Sequence, residues 1–279
     1  MATLFQDEPK MTTTALAPWF GSNRMLAPLV GEALRGCKWV GVPFAGGMSE
    51  LSHIKASTIV VSDLHRHVIN LARVVADRGG ILKDQLEGLA FHPDTLRDAQ
   101  ERCRMWEQDE HLGFEINLGA AWCFFVSCWM GRSHKSGIDD EFNGCLSTRW
   151  NANGGDSNKR YRSAVESLDA WQEVMKRCSF SVMDCFDFLA RCEDSAGHGI
   201  YCDPPFPGPG DRYKHKFDEA QHIKLAHSLS VFTNTRVVCR FYDHPLIREL
   251  YPEPRWKWNH LTGRKQSNEA APEVLITNT

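Results

Sequence analysis

The segment GIYCDPPF at 199–206 constrains the fold more than any other stretch of the chain. Gly199, Ile200, Tyr201 and Cys202 read as a buried strand, and Pro204 and Pro205 cannot donate to a ladder, so the strand has to stop at Asp203. An acid is thereby delivered at a strand's carboxyl end, and the next aromatic, Phe206, follows on a backbone stiffened by two fixed φ angles. In open α/β sheets, ligands bind at the carboxyl ends of the strands. Asp-Pro pairs start many ordinary turns; the apolar strand before this one and the aromatic after it mark a candidate site.

The rest of the chain supplies a sheet for that strand to join. An apolar run at 38–43 ends in the Gly turn Phe44, Ala45, Gly46, Gly47; a second at 58–61 ends in Ser62 and Asp63. Apolar residues at 64, 68, 71, 72 and 75 then predict a helix over 64–75. Strand, Gly turn, helix, strand, acid and helix, in that order, form the first half of a doubly wound nucleotide-binding sheet. The pattern resumes with strands at 180–183, 199–203 and 235–241, a helix at 218–231 and a last strand at 274–277. Between the two halves the texture changes, with helices expected at 93–107 and 120–129 and then a polar, Gly- and Asn-rich stretch at 131–162. So long a polar stretch is either a functional loop or disordered. The expected organisation is a flexible leader at 1–17, a Rossmann-like α/β domain made of 18–78 and 176–279, and a mainly helical subdomain inserted at 79–175.

At 279 residues with 42% hydrophobic content, the chain can bury a sizeable core. It has no apolar run of about eighteen residues and no signal-like start, so a cytosolic protein is expected. The ten cysteines form no CxxC pair and read as buried thiols in a reducing compartment. A formal net charge of −3 argues against a chain coated in nucleic acid. Two local clusters differ: 255–265, which interleaves Arg255, Lys257, Arg264 and Lys265 with Trp256 and Trp258, and the group Arg212, Lys214 and Lys216. Cations among aromatics suit a surface that tracks phosphates and stacks bases.

Taken together, these segments resemble the DNA adenine methyltransferases of the Dam type. Trp19, Gly21, Asn23 and Arg24 in PWFGSNRM are similar to the family's amino-terminal KWxGGK motif, and Phe44, Ala45, Gly46 and Gly47 to its Gly-rich cofactor loop. Asp63, followed by Leu64, sits where the family places its ribose-binding acid. Asp187 and Phe188 resemble the pair that holds the cofactor's adenine, and Asp203, Pro204, Pro205 and Phe206 resemble the catalytic DPPY motif. Arg212, Tyr213, His215, His222 and Leu225 follow the family's downstream spacing, and EVLITN at 273–278 resembles its closing strand. Four positions depart from the pattern: Arg24 replaces a Lys, Val42 a Glu, Met48 a third Gly and Phe206 a Tyr.

The resemblance implies methyl transfer from S-adenosylmethionine to the exocyclic N6 amine of an adenine flipped out of double-stranded DNA, without a metal. An aromatic amine is a poor nucleophile because its lone pair is spread into the ring. Two acceptors on its protons, the Asp203 carboxylate and the Pro204 carbonyl, would localise that pair, and Phe206 would stack on the base. The insert is expected to read DNA through Arg132, Lys135, Arg149, Lys159, Arg160 and Arg162, helped by Arg212, Arg264 and Lys265. It is expected to order fully only on DNA, so that removing 131–162 would leave cofactor binding intact. A monomer, or a dimer on DNA, is expected. The alternatives are a cytosine amino-methyltransferase and a nucleic-acid-binding relative that has lost catalysis.

Overall fold

The computed structural model describes residues 15–21, 26–132, 136–151, 155–208, 213–264 and 270–278, with the backbone alone at 262–264 and 270–271. Its strands are β1 (Trp39–Val42), β2 (Thr58–Ser62), β3 (Cys178–Ser181), β4 (His198–Cys202), β5 (Arg236–Tyr242), β6 (Lys257–Arg264) and β7 (Ala270–Thr277). They form one mixed α/β sheet in the order β3-β2-β1-β4-β5-β7-β6. The pairs from β3 across to β5 are parallel, while β7 runs antiparallel to both β5 and β6. From β1 the chain winds to β2 and β3 on one side and returns to β4 and β5 on the other. The winding therefore reverses between β1 and β4, which opens a crevice at their carboxyl ends.

The helices are α1 (Ala27–Ala33), α2 (Arg66–Glu87), α3 (Pro93–Trp106), α4 (Leu118–Met130), α5 (Ser157–Glu166), α6 (Leu168–Met175), α7 (Cys185–Leu189), α8 (Glu219–Ser230) and α9 (Pro245–Leu250). Period-two alternation divides the core between the sheet's faces. Tyr201, Val238 and Leu275 join the cluster that includes α2, α4 and α6, whereas Ile200, Cys202, Val237, Cys239 and Ile276 join the one beneath α8 and α9. Helix α8 starts on a capping box, Asp218 with Gln221, the local signal that stops the preceding loop.

The structure departs from the sequence expectations in several places. Helix α2 runs on to Glu87, through the boundary expected between 78 and 79, because Leu82 and Leu86 extend its buried stripe; only Arg78 leaves helical geometry. The inserted helices share a core with β1 and β2. Ten of the thirteen residues of α4 are buried, as in a helix enclosed on all sides. Asn70 and Asn117 exchange hydrogen bonds of 2.8 and 2.9 Å, fastening α2 to the start of α4. The end of the polar stretch at 131–162, expected to order fully only on DNA, runs into helix α5 at 157–166, whose buried Tyr161 donates to the Leu86 carbonyl at 2.9 Å.

Of the expected leader, Ala15, Leu16 and Ala17 are buried, with the Trp129 indole N–H donating to the Leu16 carbonyl. The basic, aromatic stretch at 255–265 is largely strand β6; Trp256 is buried and the Trp258 N–H donates to the Tyr251 carbonyl, so both indoles serve packing. Cysteine burial is also less uniform than expected, since Cys145 is exposed and Cys178 and Cys192 are half-buried. No helix among the described residues is long and apolar enough to cross a membrane.

Candidate active site

The crevice at the strand ends holds a cleft lined by Gly46 and Asp63 on one side and by Asp203 and Pro205 on the other. Its floor is built from β1 and β2. Gly46 turns the chain with φ +45°, and its N–H donates to Asp63 Oδ2 at 2.9 Å, while Asp63 Oδ1 accepts the His65 N–H at 2.9 Å. A side chain at Gly47 would come within 2.6 Å of the Ala17 carbonyl, so the turn and the amino-terminal segment fit only without one. Trp19 lies over Gly46, and its ring meets that of His65 edge-on at 5.1 Å.

The roof comes from the helical insert. Phe20 N–H donates to the Ser136 carbonyl at 3.1 Å, Lys214 N–H to the Gly137 carbonyl at 2.9 Å, and a Cβ on Gly137 would lie 2.6 Å from the Trp19 ring. Glu141 fixes this segment. Its carboxylate accepts from Gly137 N–H at 2.9 Å and His65 Nε2 at 2.8 Å, and Lys214 bridges it at 3.5 Å to Glu107. Burial pushes the Glu141 carboxyl up, but His65, Gly137 and Lys214 outweigh it and hold it down at about 2.

On the far wall, Asp203 leaves β4 one step beyond the Cys202–Cys239 pair and so stands beside Arg240 of β5. Arg240 Nη1 donates to Asp203 Oδ2 at 2.9 Å, Nε to Glu273 Oε2 at 3.0 Å and Nη2 to the Gly21 carbonyl at 3.0 Å. Gly21 has φ +73° and a Cβ there would strike the Tyr213 hydroxyl, which donates to the Phe20 carbonyl at 2.7 Å. Burial raises the Asp203 carboxyl above its ordinary value, with Arg240 opposing the rise. Nearby Glu50 is pushed up to about 7 by burial and by Asp203.

The cleft brings together Trp19, Gly21, Phe44, Ala45, Gly46, Gly47, Asp63, Leu64, Asp203 and Pro205 from the expected set. Asn23, Arg24, Lys135, Arg212 and Lys265 lie outside the described residues, as does the side chain of Arg264. Asp187 is exposed in the first turn of α7 and does not line the cleft; Asp184, which caps α7 close after β3, and Cys185 line it instead. Phe188 is a core residue against Gly41. Pro204 is buried, and Phe206 is buried with its ring 4.7 Å from that of Tyr242 and 5.2 Å from the Arg240 guanidinium, so it presents no stacking face to the cleft.

Of the expected DNA contacts, Arg132, Arg149 and Lys159 are exposed. Arg162 is instead turned inward, donating to the carbonyls of Glu87 and Leu89 at 2.6 and 2.7 Å, and half-buried Arg160 reaches toward the Gly131 carbonyl at 3.5 Å. These two hold α5 to the ends of α2 and α4. Sequence reasoning missed Arg240, His65 and Glu141. The signal for Arg240 is a cation inside the apolar run VVCRFY, which requires a buried partner.

No group of three or more His, Cys, Asp or Glu that could hold a metal ion occurs among the described residues. Comparison of the chain with protein-family models and with curated proteins finds no match.

Proposed function

We propose that the chain is a DNA methyltransferase that uses S-adenosylmethionine to methylate the exocyclic N6 amine of adenine. One observation carries the reading: a Gly turn tied to a strand-end acid, Gly46 to Asp63, shares a cleft with a second strand-end acid, Asp203, across the point where the sheet's winding reverses. The cleft's residues suit the cofactor: the backbone at Gly46 and Gly47 would allow close approach, Asp63 would accept the ribose hydroxyls, and Asp184, which lines the same cleft, would offer an acceptor to an adenine amine. When bound, S-adenosylmethionine supplies a methyl group already activated by its sulfonium, so no metal is called for.

The protein's own part is to aim an amine. The Asp203 carboxylate and the Pro204 carbonyl accept its two protons in hydrogen bonds, which directs the nitrogen lone pair out of the base plane and stabilises the positive charge that develops on nitrogen. The nitrogen would gain the methyl carbon as the carbon–sulfur bond of the sulfonium breaks, its electron pair staying on a neutral thioether that leaves, and the nitrogen would give up one proton to solvent. Trp19 and the roof segment at 136–141 exclude water above the cleft floor. The base reaches Asp203 only after extrusion from the duplex.

The test is incubation of purified protein with DNA and S-adenosylmethionine, followed by identification of the modified nucleoside. N6-methyladenine is expected, with Asp203→Asn reducing the rate by about a hundredfold or more. N4-methylcytosine would move the reading to cytosine; absence of any methylated base would sink it.

A further inference from the structure

Arg240 is 2% exposed in the middle of the sheet, where a guanidinium stays protonated and needs an acceptor for every direction of its fork. It finds three that are far apart in the chain: Asp203 after β4, Glu273 of β7 and the carbonyl of Gly21 in the amino-terminal segment. Glu273 lies diagonally across the β5–β7 ladder, two residues from Leu275, which is the direct partner of Arg240. A simple counter-ion to Glu273 would need no contact with the cleft. This one grips a cleft acid and a cleft backbone carbonyl at once.

We propose that Arg240 is the positioning residue of the transfer site, holding the Asp203 carboxylate as an aimed, ionised acceptor and locking the Gly21 segment in register with it. This rests on the methyltransferase reading. Among the described residues, the charged and titratable groups facing Asp203 are Arg240 and Tyr242 from β5, Glu273 from β7, Glu50 from the short 3-10 turn at Ser49–Ser52, Tyr201 from β4 and Tyr213 from the loop before α8. Arg240 is the one cation in this set, facing three carboxyl groups. Without it, burial and the neighbouring acids favour a proton on Asp203, which turns an acceptor into a donor. Lysine keeps the charge but lacks the planar fork that reaches three acceptors.

The experiment measures methylation rates from pH 5 to 9 for the wild type, Arg240→Gln and Arg240→Lys, with thermal melts for folding. Arg240→Gln is expected to lower kcat by about a hundredfold and to move the acid limb of kcat to higher pH. Arg240→Lys is expected to return most of the limb toward its original position and about tenfold of the rate. If Arg240→Gln does not fold, Arg240→Lys carries the test: folded, with kcat at least about tenfold below wild type and unchanged KM for cofactor and DNA, it supports the proposal. Wild-type kcat and pH profile in either folded variant overturns it. So does equal loss in both with an unmoved limb, and so does failure of both to fold, which assigns Arg240 to stability alone. A wild type that methylates no DNA overturns the methyltransferase reading and this proposal with it, whereas an active wild type with indifferent variants overturns this proposal alone.

Discussion

Asp63 binds the Gly46 N–H with one carboxylate oxygen and the His65 N–H with the other, both at 2.9 Å, so the Gly turn after β1 and the end of β2 form one unit. Replacing Asp63 with Ala removes the proposed acceptor for ribose and also frees the turn. The expected result is a loss of about 1.5 to 3 kcal/mol in S-adenosylmethionine binding, read by calorimetric titration. An unchanged dissociation constant would place the ribose elsewhere.

Glu141 lies in the helical insert, yet it belongs energetically to the cleft. The His65–Glu141 pair is buried at 2% and 3% exposure, and removing one partner of such a pair costs about 3 kcal/mol. Glu141→Ala should therefore lower the melting temperature and weaken cofactor binding by loosening Gly137 against Trp19. Its carboxyl is held at about 2, below its ordinary 4.5, so its contribution is present above pH 4.5 and fades as pH falls toward 2. A variant with wild-type cofactor affinity would separate insert from cleft.

Removal of residues 131–162, expected from composition to spare cofactor binding, should abolish it. The deletion takes away Ser136, Gly137 and Glu141 from the cleft roof and Tyr161 from the core. Equilibrium dialysis with the cofactor decides the matter, and retained affinity would refute the roof.

Charge reversal at Arg132, Arg149 and Lys159 probes the same insert from its exposed side. The triple variant should bind DNA more weakly and with a shallower salt dependence, while its affinity for S-adenosylmethionine stays at the wild-type level. DNA titrations at several salt concentrations test this. An unaltered salt slope would move the duplex to another face.

Buried His222 gives a pH dependence of stability. Its ring packs against Phe217 at 4.8 Å, neither ring nitrogen has a hydrogen-bond partner among the described residues, and burial lowers its pKa from 6.5 to about 4. The unfolded chain thus takes up a proton first, and stability falls as pH drops from 6.5 toward 4. His222→Phe should narrow the difference in melting temperature between pH 7 and pH 5. A difference equal to that of the wild type would rule His222 out as a source.

The sequence by itself determined the features that depend on neighbours along the chain. Prolines end β4 just before Asp203, Gly46 and Gly47 make the turn after β1, and apolar runs place the strands. These are local steric and hydrogen-bonding constraints, so each is written in a few consecutive residues. Position along a helix was less legible: whether Asp184 or Asp187 faces the cleft depends on where α7 begins, and a shift of three residues moves an acid from the strand end to a solvent-exposed turn. What surrounds the site was decided by tertiary structure alone. Alternation in β5 can mark position 240 as buried, but the acceptors that satisfy its charge lie 33, 37 and 219 residues away. The His65–Glu141 pair closes over 76 residues, and Phe206 turns into the core because Tyr242 and Arg240 meet it there. A buried charge is stable only with partners in place, and which partners arrive is set by the order of strands in the sheet.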